Sequence, residues 1–528
     1  MGVVFEAVSD LDSLAKTVLQ IDDKVGDYLG VAVILEVLGI TDGIAQRYGF
    51  VDRFSLAKKL IEIIDYYRGR GETVESREAK LAEQIREALK LYIHGILYGS
   101  PWLLMTLALL STEVALWSIR GATIMFATMV GLATFLSLIV SSAVQPVFVR
   151  KMLFYLHQAM YKLVVRVVEI YFAVGLLVVA SASLLLYYLN FFLRLYPMEW
   201  FSLFILYFTA LSMLWLAIAP LYAFRKYVIL VAIFAGIIIL NNFLVKSLGS
   251  SLSPFQPYGL YFAILASAVY TFTYLYLKEK ALERYKPEYN DLKVKLPRLS
   301  FMVLPGLPYA LAGALYFILL FMDRLVVWSM SPSAYPLWFN LDYEVGANLA
   351  LLMLIPVFGA LNHSVLSLYR EIVESGEHVE ARHVKLYRLR VRDRYFACLR
   401  SITASSLISL AVLYFLLLQQ PQPFFGLIPV SRQSLFVFIL AGLGNFFIAI
   451  FLANSMLHNY LYKPGISILT LAAAIAGNLL VGFTLSRLYG FEYAAFGYLA
   501  GCLLAALLST IFTFKLISRI DYTYYTAF

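Results

Sequence analysis

Long apolar runs follow one another along most of the chain after residue 92, with short polar segments between them. Each run reaches about twenty residues, the length that an α-helix needs to cross the hydrocarbon core of a bilayer. The pattern predicts an all-α polytopic membrane protein with about twelve transmembrane helices. We place these helices at residues 93–117, 122–147, 167–189, 201–223, 227–246, 258–277, 300–322, 345–366, 401–420, 433–460, 465–486 and 493–514.

Residues 1–92 follow a different pattern, because their apolar runs are too short to span a membrane. The stretch Tyr28–Ile40 is apolar but short. Two later segments place apolar residues at helical spacing: Leu56, Leu60, Ile63, Ile64 and Tyr67 in the first, and Leu81, Ile85 and Leu89 in the second. We therefore expect residues 1–92 to form a small helical cytosolic domain.

A polar segment at residues 278–299 divides the membrane part into two six-helix lobes, 93–277 and 300–528, the second ending in a cytosolic tail. The first predicted helix of each lobe is interrupted early by glycine and proline, at Tyr98–Trp102 and at Pro305–Tyr309. Paired interruptions of this kind point to the central cavity of a transporter. The alternative is that glycine and proline are simply more frequent in membrane helices.

Composition supports a membrane location. The chain is 61% hydrophobic and 14% charged, whereas an ordinary soluble domain is about 25% charged. The net charge of +9 comes mostly from lysine and arginine in one set of alternate loops. Basic loops stay on the cytosolic side, so we expect a multi-pass protein of the cytoplasmic membrane with both termini in the cytosol. This distribution favours a topology signal over nucleic-acid binding.

Several polar and aromatic residues of the predicted spans are candidates for a substrate path. Amides and a histidine suit hydroxyl-rich sugars, and aromatic rings stack on sugar faces. The alternative for the amides is ordinary bonding between helices. The candidate path comprises Pro101, Trp102, Pro308, Tyr309, Asn362, His363 and Asn445.

Charged residues inside a bilayer are costly and therefore draw attention to function. Asp323 and Arg324 end the seventh predicted span, and Asp342 and Glu344 open the eighth. We interpret these four residues as an outer gate between the lobes. The alternatives are an ion-pair network at the outer surface and, for the surrounding aromatic residues, an interfacial belt.

A strongly basic segment between the eighth and ninth spans carries arginine at alternate positions: Arg388, Arg390, Arg392 and Arg394. We interpret it as a cytosolic loop that binds a partner protein, with anionic lipid as the competing ligand. The two cysteines, Cys398 and Cys502, have no disulfide or metal spacing. We find no nucleotide-binding glycine loop, metal motif or catalytic triad, and expect neither enzymatic activity nor a cofactor.

Several stretches of the membrane part resemble the PelG family of exopolysaccharide exporters. The similar stretches are Ile96–Leu104 (ILYGSPWLL), Phe135–Met152, Met322–Trp328 with Ser331 and Pro332, Leu341–Tyr343, Asn348–Ala350, Ile355–Pro356 and Tyr369. They cover most of residues 93–400. The sequence departs from the family pattern in its additional N-terminal residues and at Asn362, where the family tends to carry glutamate.

The resemblance implies a fold of the flippase superfamily, with two six-helix lobes around a central cavity. It also implies export of a polysaccharide, together with a cytosolic glycosyltransferase and other membrane subunits of an export complex. A lipid-linked oligosaccharide flippase or a small-molecule antiporter is the alternative within transport. A membrane scaffold that anchors a glycosyltransferase is the alternative from another class.

Overall fold

The computed structural model describes residues 11–22, 25–71, 74–112, 123–248, 256–285, 298–331, 333–377, 384–419 and 430–526. All regular secondary structure in these residues is helical. The chain divides into two compact units, Met1–Leu89 and Lys90–Phe528, which we describe separately. The division falls close to the boundary at residue 92 that the sequence predicts.

The described residues of the first unit include the helices α1 (Leu11–Ile21), α2 (Tyr28–Val37), α3 (Asp42–Arg47) and α4 (Arg53–Gly71), and α5 (Val74–Tyr98) also begins in this unit. Helix α2 begins where the Asp27 carboxylate accepts a hydrogen bond of 2.7 Å from the amide of Gly30, a standard N-cap. The core of the unit is formed by fully buried leucine and isoleucine side chains, among them Leu35, Leu56 and Ile64. The first predicted amphipathic face, with Leu56, Leu60 and Ile64, thus lies in a small apolar core, whereas Ile85 and Leu89 of the second predicted face are exposed.

The first lobe follows, beginning with the helix pair α5 (Val74–Tyr98) and α6 (Ser100–Thr112). Its remaining helices are α7 (Ile124–His157), α8 (Tyr161–Leu193), α9 (Met198–Ala223), α10 (Tyr227–Leu248) and α11 (Gln256–Tyr285). Residues 286–297, most of the predicted linker, lie outside the described residues. Residues 113–117, the end of the predicted first span, do so as well.

The second lobe begins with α12 (Leu299–Val303), a 3-10 turn at Leu304–Gly306 and α13 (Leu307–Trp328). It continues with α14 (Leu341–Leu351), α15 (Leu354–Glu377), α16 (Val384–Gln419), α17 (Arg432–Tyr460), α18 (Pro464–Tyr489), α19 (Ala494–Ser518) and α20 (Ile520–Tyr525). Within the described residues, ten helical segments are long and apolar enough to cross a membrane, and Tyr227–Phe243 is a shorter apolar helix. The predicted fold class, an all-α polytopic membrane protein, is confirmed.

The outward faces of the membrane helices are apolar. On α8, for example, Leu184 and Leu185 are exposed while Val168 and Tyr171 are buried. Lipid can cover such side chains at no cost, because hydrocarbon is as apolar as leucine. The polar contacts that remain are directed inward, and they define the candidate site.

Candidate functional site

The first interruption lies between α5 and α6, at the predicted position. Gly99 forms a turn, and Pro101 occupies the first turn of α6. The interruption faces the second lobe, since a Cβ atom on Gly99 would lie 3.1 Å from Cδ2 of Phe358 in α15. One turn earlier, a Cβ atom on Gly95 would overlap the carbonyl oxygen of Phe358. The backbone of α5 therefore touches the backbone of α15.

The second interruption is the 3-10 turn at Leu304–Gly306, which separates α12 from α13. Pro308 lies in the first turn of α13, where its missing amide hydrogen causes no loss. A Cβ atom on Gly306 would lie 2.7 Å from Cα of Val147, and one on Gly313 would lie 2.9 Å from the carbonyl oxygen of Ser142. Both predicted interruptions are thus at contacts between the lobes, α5 with α15 and α13 with α7.

A third interruption, which the sequence interpretation missed, divides the predicted eighth span at Leu352 and Met353. Pro356 explains it, because proline has no amide hydrogen to donate to the carbonyl of the preceding turn. Side chains of two other helices donate to carbonyls on either side of the break. Asn445 Nδ2 donates to the Ala350 carbonyl at 2.8 Å, and Ser409 Oγ donates to the Met353 carbonyl at 2.9 Å.

Aromatic rings surround the first interruption. The Tyr98 ring lies 4.8 Å from the Tyr222 ring and 5.8 Å from the Phe358 ring. Trp102, which is partly exposed, stacks on Trp215 with 6.1 Å between the centroids. Of this cluster the sequence singled out only Trp102, and Tyr98 as part of the same interrupted motif. The other rings come from α9 and α15, and only tertiary packing brings them here.

The polar residues of the predicted path are anchored by other helices. Asn362 Nδ2 donates to the Leu91 carbonyl at 2.7 Å, which joins α15 to α5. Asn445 also accepts a hydrogen bond of 2.6 Å from the Tyr498 hydroxyl. The Arg150 guanidinium lies 3.8 Å from the centroid of the Tyr309 ring, and His363 is half-buried in α15. The two amides thus bond across helices, as the alternative interpretation expected.

The predicted outer-gate residues separate into two groups. Asp323, Arg324 and Glu344 are buried and form one group. The seventh span predicted from the sequence ends at residue 322, just before Asp323. Helix α13 in fact continues to Trp328, so Asp323 and Arg324 lie inside the lobe rather than at the end of a span. Asp342 is not part of this cluster, and its carbonyl accepts a hydrogen bond from the Ser434 hydroxyl.

The buried cluster is well connected. Arg324 Nη1 lies 2.6 Å from Glu344 Oε2 and 2.8 Å from Asn348 Oδ1. The Trp328 indole nitrogen donates to Glu344 Oε1 at 3.1 Å, and the Tyr343 hydroxyl donates to Asp323 Oδ2 at 2.5 Å. Each partner of the ion pair thereby gains a second hydrogen bond, which a buried pair needs to offset its desolvation.

Comparison with known proteins identifies the family to which this chain belongs. The model of the PelG family, described as an exopolysaccharide exporter (EPS-E), matches residues 82–525. The chain belongs to the PelG family. No curated protein matches it.

The fold is similar to that of solved MATE transporters, which share low sequence identity with this chain. An inward-facing MATE family transporter of the MOP superfamily superposes with a TM-score of 0.57 at 12% identity, covering 83% of this chain and 98% of that one. A mutant of the Vibrio cholerae MATE transporter VcmN gives 0.54 at 14% identity, covering 84% and 99%. MATE transporter ClbM in complex with Rb+ gives 0.51 at 14% identity, covering 84% and 97%. These likenesses confirm the transporter fold.

The basic segment that we interpret from the sequence as a partner-binding loop is helical, not a loop. Arg388–Arg394 occupy the first turns of α16, because a charged sequence that extends a helix beyond the membrane remains helical. At helical spacing, alternate positions point in different directions. Arg388 forms a two-bond ion pair with Asp521, both contacts at 2.9 Å, and Arg392 lies 3.7 Å from Asp393. Arg390 and Arg394 are exposed.

Proposed function

We propose that this PelG-family transporter exports a polysaccharide across the cytoplasmic membrane, through the space between its two lobes. The observation that carries the proposal is the position of the two paired interruptions. Each divides the first membrane span of its lobe into two helices and contacts a helix of the other lobe. A movement of the lobes therefore exposes backbone carbonyls to the space between them, and such carbonyls are tolerated at membrane depth only beside protein or water.

The aromatic cluster at the first interruption supports a sugar as substrate. Aromatic faces present rigid apolar surface, on which the C–H face of a sugar ring can stack, while neighbouring carbonyls accept its hydroxyl hydrogens. Trp102 on Trp215, and Tyr98 against Tyr222, provide two such surfaces, with Tyr98 and Trp102 four residues apart in the sequence. A path with aromatic faces and uncharged polar groups suits a long hydroxylated chain.

The orientation and partners are part of the same proposal. The basic loops place both termini in the cytosol by the positive-inside rule. A cytosolic glycosyltransferase would then deliver the growing polymer, docking on the exposed Arg390 and Arg394 of α16. Arg388 and Arg392 are less suited to docking, since each already lies beside an aspartate.

The test of transport uses the double variant Pro101→Ala and Pro308→Ala. Proline at residues 101 and 308 has no amide hydrogen to donate to the carbonyl of the preceding turn, and alanine restores that donor, so the first membrane span of each lobe should straighten while membrane insertion stays near normal. We expect the amount of polymer secreted per unit of membrane-inserted protein to fall at least tenfold. The matched control is Pro464→Ala, in the first turn of α18 and away from both interruptions.

Unchanged secretion in the double variant, with normal insertion, would show that the interruptions serve packing and not transport. Loss of secretion in the Pro464→Ala control to the same extent would also contradict the proposal. It would mean that any proline near a helix start has this effect.

A further inference from the structure

The second lobe contains an unbalanced buried charge. Among the described residues, Asp323, Arg324 and Glu344 are the only charged side chains that are buried, at 2%, 4% and 3% exposure. The Arg324 guanidinium pairs with Glu344 at 2.6 Å, which accounts for one positive and one negative charge. Asp323 is left over. An isolated carboxylate in an apolar interior is so unfavourable that such groups normally become neutral or acquire a partner.

The two oxygens of Asp323 have different surroundings. Oδ2 accepts the hydrogen bond from Tyr343, while Oδ1 has no hydrogen-bond partner among the described residues. Asp323 lines a cavity of about 10 Å³, roughly the space of one water molecule. The polar groups around this cavity are Asp323, Arg324, Asn445 and Tyr498.

We propose that Asp323 binds and releases one proton inside the second lobe. The proton comes from a hydronium ion in solvent and adds to Oδ1, which converts the carboxylate to a neutral acid and leaves one water. Protonation removes the unbalanced negative charge. The new O–H on Oδ1 can donate a hydrogen bond into the cavity. A metal cation is less suited, because hard cations take about six or more oxygen ligands and this cavity holds about one water.

The charged and titratable groups that face Asp323 come from three helices besides its own. Arg324 is its neighbour on α13, Tyr343 and Glu344 belong to α14, and Tyr498 and Cys502 belong to α19. On α18, Arg487 donates to the Val326 carbonyl at 3.1 Å, one turn further along α13. None of these groups supplies a second cation to Asp323, since Arg324 is already paired with Glu344.

Infrared difference spectroscopy of the purified full-length protein tests the proposal, with spectra recorded between acid and alkaline pH. We expect a carboxylic-acid carbonyl band that titrates reversibly in the native protein, disappears in Asp323→Asn and persists in Asp393→Asn. Asp393, an exposed aspartate on α16, is the matched control. Exchanging Na+ for choline should leave the band unchanged. The measurement detects binding alone, so its outcome does not depend on what is exported.

Tyr343→Phe supplies a second, milder variant in case Asp323→Asn does not fold. It removes the hydroxyl that stabilises the ionised form, so the midpoint of the band should shift to higher pH. The proposal is overturned if the band survives in Asp323→Asn or vanishes in Asp393→Asn. An unshifted midpoint in folded Tyr343→Phe, or displacement of the band by Na+, also overturns it.

Discussion

At the scale of residues, burial separates two kinds of ion pair in this protein. Arg324 and Glu344 are each 4% exposed and 2.6 Å apart. Arg166 and Glu169 on α8 are also close, at 3.0 Å, but 70% and 46% exposed. An exposed pair contributes about 0–1 kcal/mol, whereas removing one partner of a buried pair costs about 3–5 kcal/mol. The same residue types therefore have different weight in the stability of the protein.

The substitution Arg324→Met should accordingly lower the free energy of unfolding by about 3–5 kcal/mol, because it leaves the buried Glu344 carboxylate without its cation. The matched variant Arg166→Met should change it by less than about 1 kcal/mol. Denaturant titration of the purified protein in detergent measures both values. Equal losses in the two variants would contradict the assignment of Arg324 to a buried pair.

At the scale of elements, the positions of glycine and proline and the lengths of the apolar runs predict most of the helices. The interruptions at Gly99 and Gly306 were predictable because the residues that cause them lie at the break itself. The break at Leu352–Met353 was missed because Pro356 acts on the turn before it. Pairing of Arg324 with Glu344 could not be predicted, because the loop between α13 and α14 decides which turns of the two helices face each other. Similarly, the charged start of α16 was interpreted as a loop although it continues a helix.

Replacing Pro356 by alanine tests the cause of this third break. Alanine restores an amide hydrogen that can bond to the Leu352 carbonyl, so α14 and α15 should join into one helix. We expect slower hydrogen exchange of the backbone amides at residues 352–355, measured by mass spectrometry. Pro197→Ala is the control, since Pro197 precedes the first turn of α9 and interrupts no helix. Unchanged exchange in Pro356→Ala would mean that Asn445 and Ser409 alone hold the break open.

At the scale of the whole membrane unit, the two lobes meet through glycine on one lobe and backbone on the other. The α5–α15 contact uses Gly95 and Gly359, and the α7–α13 contact uses Gly306 and Gly313. In each contact, the first membrane span of one lobe packs against the second membrane span of the other lobe. Interfaces of small residues allow backbones to approach closely, and the α5–α15 contact adds the hydrogen bond from Asn362 to the Leu91 carbonyl. Such contacts can separate without breaking an ion pair, as a transporter that alternates between states requires.

The double variant Gly95→Ala and Gly313→Ala should weaken both contacts at once. The methyl group at residue 95 would overlap the Phe358 carbonyl, and the one at residue 313 would lie 2.9 Å from the Ser142 carbonyl, so the helices must move apart. We expect spin labels at cysteines replacing Lys151 and Lys463, one on each lobe, to report a distance distribution shifted to longer values in pulsed electron resonance. The native Cys398 and Cys502 are buried and should stay unlabelled. Gly236→Ala with Gly465→Ala is the control, because a Cβ atom at either position meets nothing within 4 Å. An unshifted distribution in the first pair would show that the lobes absorb the methyl groups without moving, and that glycine is not what lets them close.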